Sequence, residues 1–157
     1  MDYELFLQTK LNRKSLVEMI NQYVTETVKE NSSLQINEDE IVVGCRFFTL
    51  FIEIEDISDI TFVQKHYNLA LNVCITIQLF GRTFNDGIGH LFKVISKLMK
   101  DTKGNLLFLE DGSTQLLRME KGLLTVNNRL DEYQTKFFIP DLLRLLNHPY
   151  IEKELSS

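Results

Sequence analysis

The chain has 157 residues, 44% of them hydrophobic and 25% charged, which is the balance of an ordinary globular protein. That length can build a core and fits a single domain over residues 1–157, while two prolines and seven glycines exclude collagen, low complexity and a Pro-rich linker. Twenty-two acids against seventeen bases give a net charge of −5, which argues against a role in coating nucleic acid.

Residues 3–7 open with alternation: Tyr3, Leu5 and Leu7 are apolar and Glu4 and Gln8 polar, as a half-buried strand requires. Asn12 is placed to cap a helix whose apolar positions Leu16, Met19, Ile20, Tyr23 and Val24 form one stripe. Asn31-Ser32-Ser33 ends it. Residues 34–37, the acidic tip Glu38-Asp39-Glu40 and the β-rich run 41–55 then predict a hairpin with an irregularity at Gly44. In the second half of that run Phe48, Leu50, Ile52 and Ile54 point one way and Thr49, Glu53 and Glu55 the other.

Residues 56–68 read as a polar connection. Residues 71–79 are the cleanest strand in the chain, with Leu71, Val73, Ile75, Ile77 and Leu79 on one face. Residues 83–100 predict an amphipathic helix that buries Phe84, Ile88, Leu91, Phe92, Ile95 and Leu98. Its last turns carry Lys93, Lys97 and Lys100, which suits the negative end of the helix dipole. Three short strands follow at 105–109, 115–119 and 123–126, separated by the turn signals Asp111-Gly112 and Lys121-Gly122. Pro140 then opens a C-terminal helix through Leu146, and a short final turn follows. The expected fold class is α+β: a largely antiparallel sheet of about six strands, two long helices packed on one face, and a C-terminal helix.

Constellations that carry chemistry are scarce. His66, His90 and His148 show no paired spacing for zinc, and no GxSxG nucleophile turn occurs. The run from Gly81 to Gly89 enters a helix, yet it lacks the Lys-Ser/Thr of a P-loop and places Asp86 where phosphate would approach. Cys45 and Cys74 have no His or Asp at ligand spacing and read as reduced core residues. No metal and no cofactor is expected. The carboxylates are more informative as a field. Residues 30–59 hold eight acids against the single base Arg46, a local balance of −7 within a chain of −5. A solvated face is the plain reading of such a run.

The strand 73–79, the helix segment 87–98 and the sheet segment from Gly104 to Arg118, continued by Met119 to Asn127, form a pattern that resembles the swarming-inhibition-toxin immunity family of polymorphic toxin systems. The opening strand and helix fit the start of that family too. The resemblance covers about two-thirds of the chain, leaving roughly 29–68 and the tail beyond 128 unmatched. It carries over no catalytic residue. It implies a role: a cytoplasmic protein that binds and neutralises a cognate toxin domain, expected to be a cytosol-acting nuclease. That role agrees with the lack of a basic leader and apolar run at the N-terminus and of any membrane-length apolar window. The acidic field then gains a second reading, as a phosphate mimic against a basic toxin site. The candidate toxin-binding residues are Glu38, Asp39, Glu40, Glu53, Glu55, Asp56 and Asp59.

The resulting expectation is an immunity protein with no enzymatic activity, monomeric or weakly homodimeric, that touches neither nucleic acid nor membrane directly. A small-molecule-binding or regulatory α+β module is the alternative. A third reading, an enzyme pairing His66 with Asp56 or Asp59, has the least behind it.

Overall fold

Alternation in β1 (Asp2–Leu7) sends Tyr3, Leu5 and Leu7 to one face of a sheet and Glu4 and Phe6 to the other. The computed structural model describes residues 2–54, 57, 59–134 and 139–156. After β1, the Asn12 side chain accepts a 2.8 Å hydrogen bond from the Ser15 N–H and starts α1 (Arg13–Val28). Lys29, at φ 62°, stops that helix by donating its N–H to the Thr25 carbonyl. A three-strand meander follows: β2 (Ser33–Ile36), β3 (Ile41–Gly44) and β4 (Phe48–Glu53). After α2 (Ile60–Tyr67) the same order recurs, with β5 (Val73–Leu79), α3 (Phe84–Thr102) and the meander β6 (Leu106–Glu110), β7 (Thr114–Glu120) and β8 (Leu123–Asn127). The short α4 (Pro140–Arg144) and β9 (Tyr150–Lys153) end the chain.

The strands form one mixed sheet in the order β2-β3-β4-β5-β1-β6-β7-β8-β9, antiparallel throughout except for the β8–β9 pair. Each long-helix unit lends its opening strand to the other. β1 pairs with β6 of the second meander, and β5 pairs with β4 of the first. Register aligns one apolar row across eight strands: Ile36, Ile41, Ile52, Ile75, Leu5, Phe108, Leu117 and Val126. α1 and α3 contact each other and bury Leu16, Val17, Ile20, Val24, Ile88, Leu91, Phe92 and Ile95 in the same cluster as that row from Ile41 to Val126, while Ile36 at the sheet edge stays exposed. Gly87 lets α3 approach, since a Cβ there would sit 3.1 Å from a Leu79 methyl and 3.3 Å from the Phe47 Cβ.

Three expectations are corrected. The sheet has nine strands rather than about six, because the run 41–55 divides into β3 and β4 at a tight turn closed by Cys45 N–H to Phe48 O at 3.0 Å, and because β9 replaces the expected final turn. β9 shows no alternation to read, as all four of its residues are exposed; polar groups hold the tail instead, with Asn127 bonding the Leu155 N–H and carbonyl at 3.3 Å each. Residues 56–68 are not simply a polar connection. Ile60, Val63 and Tyr67 lie on one stripe of α2 and, with Phe6, Cys74, Leu107 and Leu109, make a second cluster on the opposite face of the sheet. Leu71 belongs to that second cluster and precedes β5, where its N–H bonds the Gln64 side chain at 2.9 Å.

The buried row makes the core testable. Ile75→Ala or Phe92→Ala, at residues 1% and 0% exposed, is expected to lower the unfolding free energy by about 2–5 kcal/mol in chemical denaturation. A loss within ~0.5 kcal/mol of wild type, well under that range, would show that the side chain does not fill this cluster.

Candidate functional site

The two faces of the sheet are covered unequally. α2 shields the second face only over Phe6, Cys74, Leu107 and Leu109. Toward β2, two cross-strand rows remain open to solvent. One runs Gln35, Val42, Phe51, Thr76, Glu4, and the other runs Ser33, Gly44, Thr49, Gln78, Asp2. All ten residues are exposed or half-buried, with Glu4 at the boundary, its carboxylate beside the β6–β7 turn at Gly112. Beside them, at the end of β4, stands Glu53. Asp2, Glu4 and Glu53 are the charged residues of this patch; it contains no Lys or Arg.

The sequence candidates gather at one end of the sheet. Glu38, Asp39 and Glu40 are exposed in the turn between β2 and β3. The residue after them, Ile41, pairs with Ile52, the residue before Glu53. Asp59, exposed and at φ 60°, immediately precedes α2. Glu55 and Asp56 lie outside the described residues. Arg46, the base of the 30–59 stretch, sits in the β3–β4 turn at the far end of β4 and pairs with Glu30 at 2.6 Å. The base beside the tip is instead Arg13, whose guanidinium donates to the Asn37 carbonyl at 2.9 Å.

Sequence reasoning missed Glu4. Its outward position in β1 was readable, but its neighbours depend on the pairing of β1 with β5, which brings together residues far apart in the chain. Burial, followed by the charges of Asp59 and Glu53, holds the Glu4 carboxyl above its ordinary value. The adjoining Cys74 thiol is pushed up to about 12, first by burial and then by Glu4 and Glu53. Neither cysteine is in a disulfide, and Cys74 is buried, so its thiol is inert packing.

The remaining candidates do not assemble into a reactive centre among the described residues. His66 stacks on Phe62 at 5.3 Å and meets Tyr67 edge-on at 4.7 Å. Asp59 lies at the opposite end of α2, about 10 Å away along the axis at ~1.5 Å per residue, so the two form no acid–base pair. His90 packs against the Phe47 ring at 4.6 Å; burial, then Lys93, holds its imidazole below the ordinary value. Gly81–Thr83 is a single 3-10 turn, Thr83 makes no side-chain cap bond, and Asp86 occupies the first turn of α3. No group of three or more His, Cys, Asp or Glu among the described residues is placed to hold a metal ion, and no described helix is long and apolar enough to cross a membrane.

No protein-family model, curated protein or solved structure matches this chain.

Glu4 gives the site a pH signature. A carboxyl whose pKa is raised on folding adds stability below its unfolded value and loses it as pH rises through the folded value. At neutral pH ionised Glu4 is thus a net cost. Glu4→Gln is expected to raise the melting temperature by a few degrees at pH 7, with the gain vanishing near pH 4. Thermal unfolding at both pH values checks this; an equal gain at both would trace it to packing rather than charge.

Proposed function

We propose that this protein is a cytoplasmic immunity protein that binds a cognate bacterial toxin and blocks its active or substrate-binding surface. The observation that carries the reading is the open, acidic half of the second sheet face. An enzyme needs convergent reactive groups, whereas this patch offers a rigid plane of Thr, Gln and Ser with the half-buried Phe51 at its middle and acids around it. Such a plane suits a protein partner: an aromatic anchor, adaptable polar groups and one sign of charge. A nuclease toxin is the matching class, because a site that grips phosphates must be cationic, and carboxylates set on a sheet can occupy it. The resemblance to the swarming-inhibition-toxin immunity family supports the same role, with no cofactor required and a monomer or weak homodimer as the working form.

Size decides how the acids divide their work. Five strands at ~4.8 Å spacing and two rows at ~6.8 Å give roughly 330 Å² of flat surface. A partner in a specific complex commonly buries about 800 Å² per side. The sheet patch alone falls short, so the tip Glu38–Glu40, Asp59 and the exposed Phe62 of α2 join it as a rim. Rim charges act on association and on its salt dependence, and central ones act on dissociation.

A small-molecule-binding or regulatory module is the second reading, favoured by a cavity on the other side of the sheet described below.

The test is binding to, and protection from, the toxin encoded beside this gene. Thr49→Lys with Glu53→Lys, placed on the open face, is expected to abolish protection while circular dichroism stays native. Lysines at Glu38, Asp39 and Glu40 should slow association and weaken protection less, and added salt should slow association of the wild type. A folded Thr49/Glu53 double variant that binds and protects like wild type would return this face to solvent. A wild-type protein that fails to bind the toxin would end the immunity reading itself.

A further inference from the structure

Several cavities among the described residues compete as ligand sites. One, about 670 Å³ beside the β1–α1 connection, is lined by polar groups already engaged with one another: the Thr9 N–H donates to Asn72 Oδ1 at 2.9 Å and Asn72 Nδ2 to the Thr9 carbonyl at 2.7 Å. A second, about 300 Å³ beside His66, is lined by Arg118, whose guanidinium is spent on the Tyr67 and Asn68 carbonyls at the end of α2. The third lies where α3 ends above β7 and is closed by the connection after α4, and it is different in kind.

This third cavity, about 430 Å³, falls in the range of small-molecule sites. Its apolar floor is Met99, Met119 and Leu146, at 6%, 4% and 0% exposure. Its polar lining includes Ser96, Lys100, Lys103 and His148, and no carboxylate lines it, in a protein that is acidic overall. Neither Lys100 nor Lys103 has an ion pair or side-chain hydrogen bond among the described residues. One turn earlier, Lys97 is satisfied by Glu26 at 2.9 Å and by the Tyr23 ring. The nearest acid in sequence, Asp101, lines the neighbouring cavity, which Lys103 borders as well. His148 Nδ1 is taken by the Pro149 carbonyl at 2.6 Å.

We propose that this cavity binds a small amphipathic anion, an aliphatic body seated on Met99, Met119 and Leu146 with a carboxylate or phosphate head held by Lys100 and Lys103. The end of α3 opposes an anion with about half a negative charge, but two full positive charges outweigh it. The dipole accounts for lysines in the last turn of a helix. It does not account for an apolar floor beneath them or for the absence of any acid around it. The site is independent of the toxin-blocking reading, since it lies on the helix-covered side of the sheet.

The chain carries four methionines, so methyl-¹³C-methionine labelling of the full protein yields a spectrum with two probes in the cavity, Met99 and Met119, and a control on α1, Met19. Titration with octanoate is expected to shift Met99 and Met119 saturably and leave Met19 still. Octanol, which lacks the charge, should bind at least tenfold more weakly. Octyl phosphate run in parallel separates the head groups: tighter binding of either anion supports the proposal and names the head. Lys100→Glu with Lys103→Glu should cost at least tenfold in octanoate affinity. Ser96→Phe, which fills the cavity and keeps both lysines, should abolish binding and carries the test if the charge reversal disturbs the methyl spectrum. Octanol binding as tightly as the anions, octanoate shifting Met19 as much as Met99, or Ser96→Phe binding octanoate like wild type would each overturn the proposal.

Discussion

One row of side chains holds this fold in place: the line from Ile36 through Leu5 to Val126 that crosses eight strands in register. Side chains alternate with a period of two, so a slip of one residue in any strand inside the β2 edge would turn its part of the row toward solvent. In β1 the slip would put Glu4 against α1 and α3 in place of Leu5. The helices depend on the row as well, because neither their caps nor their surface ion pairs suffice to hold them. The Glu26–Lys97 pair is substantially exposed on both sides and contributes little. What fixes α1 and α3 is the apolar surface they bury on the sheet.

Unequal covering of the sheet turns this architecture into something that can be used. The helix-covered face holds the larger cluster, and the second face is closed only where α2 reaches. At the border of that covering the sheet keeps an acid that folds at a cost, as the raised carboxyl of half-buried Glu4 shows. Structures that retain such a cost are often serving a partner rather than their own stability. Under the immunity reading, the partner's bases would relieve the repulsion among Glu4, Glu53 and Asp59.

Features with local causes were legible in the chain. Alternation marked β1 and β5, Asn12 marked the start of α1, and a helical stripe marked α3. The turn signals Asp111-Gly112 and Lys121-Gly122 fall on successive positive φ values of 51° and 71°, and 50° and 80°. Features set by long-range pairing were not legible. α2 is two turns long, too short for periodicity to separate it from a loop. β9 is exposed on every residue, and side-chain amides tie down the tail that follows it. The candidate site was half visible: the acids of 38–59 were readable as a run, but the open rows and Glu4 emerge only once β1 is known to lie between β5 and β6.

That placement bears on how the chain is made. β1 leaves the ribosome before either of its neighbours, and β6 follows about 100 residues later, roughly 5–20 s at ~5–20 residues per second. Until β5 follows about 70 residues after β1, Leu5 and Leu7 have neither flanking strand, and β4, already formed into its meander, presents an edge that only β5 will close. The nascent chain therefore carries two waiting edges at once, and the sheet becomes continuous only when its centre, the earliest part made, is enclosed by strands translated after it.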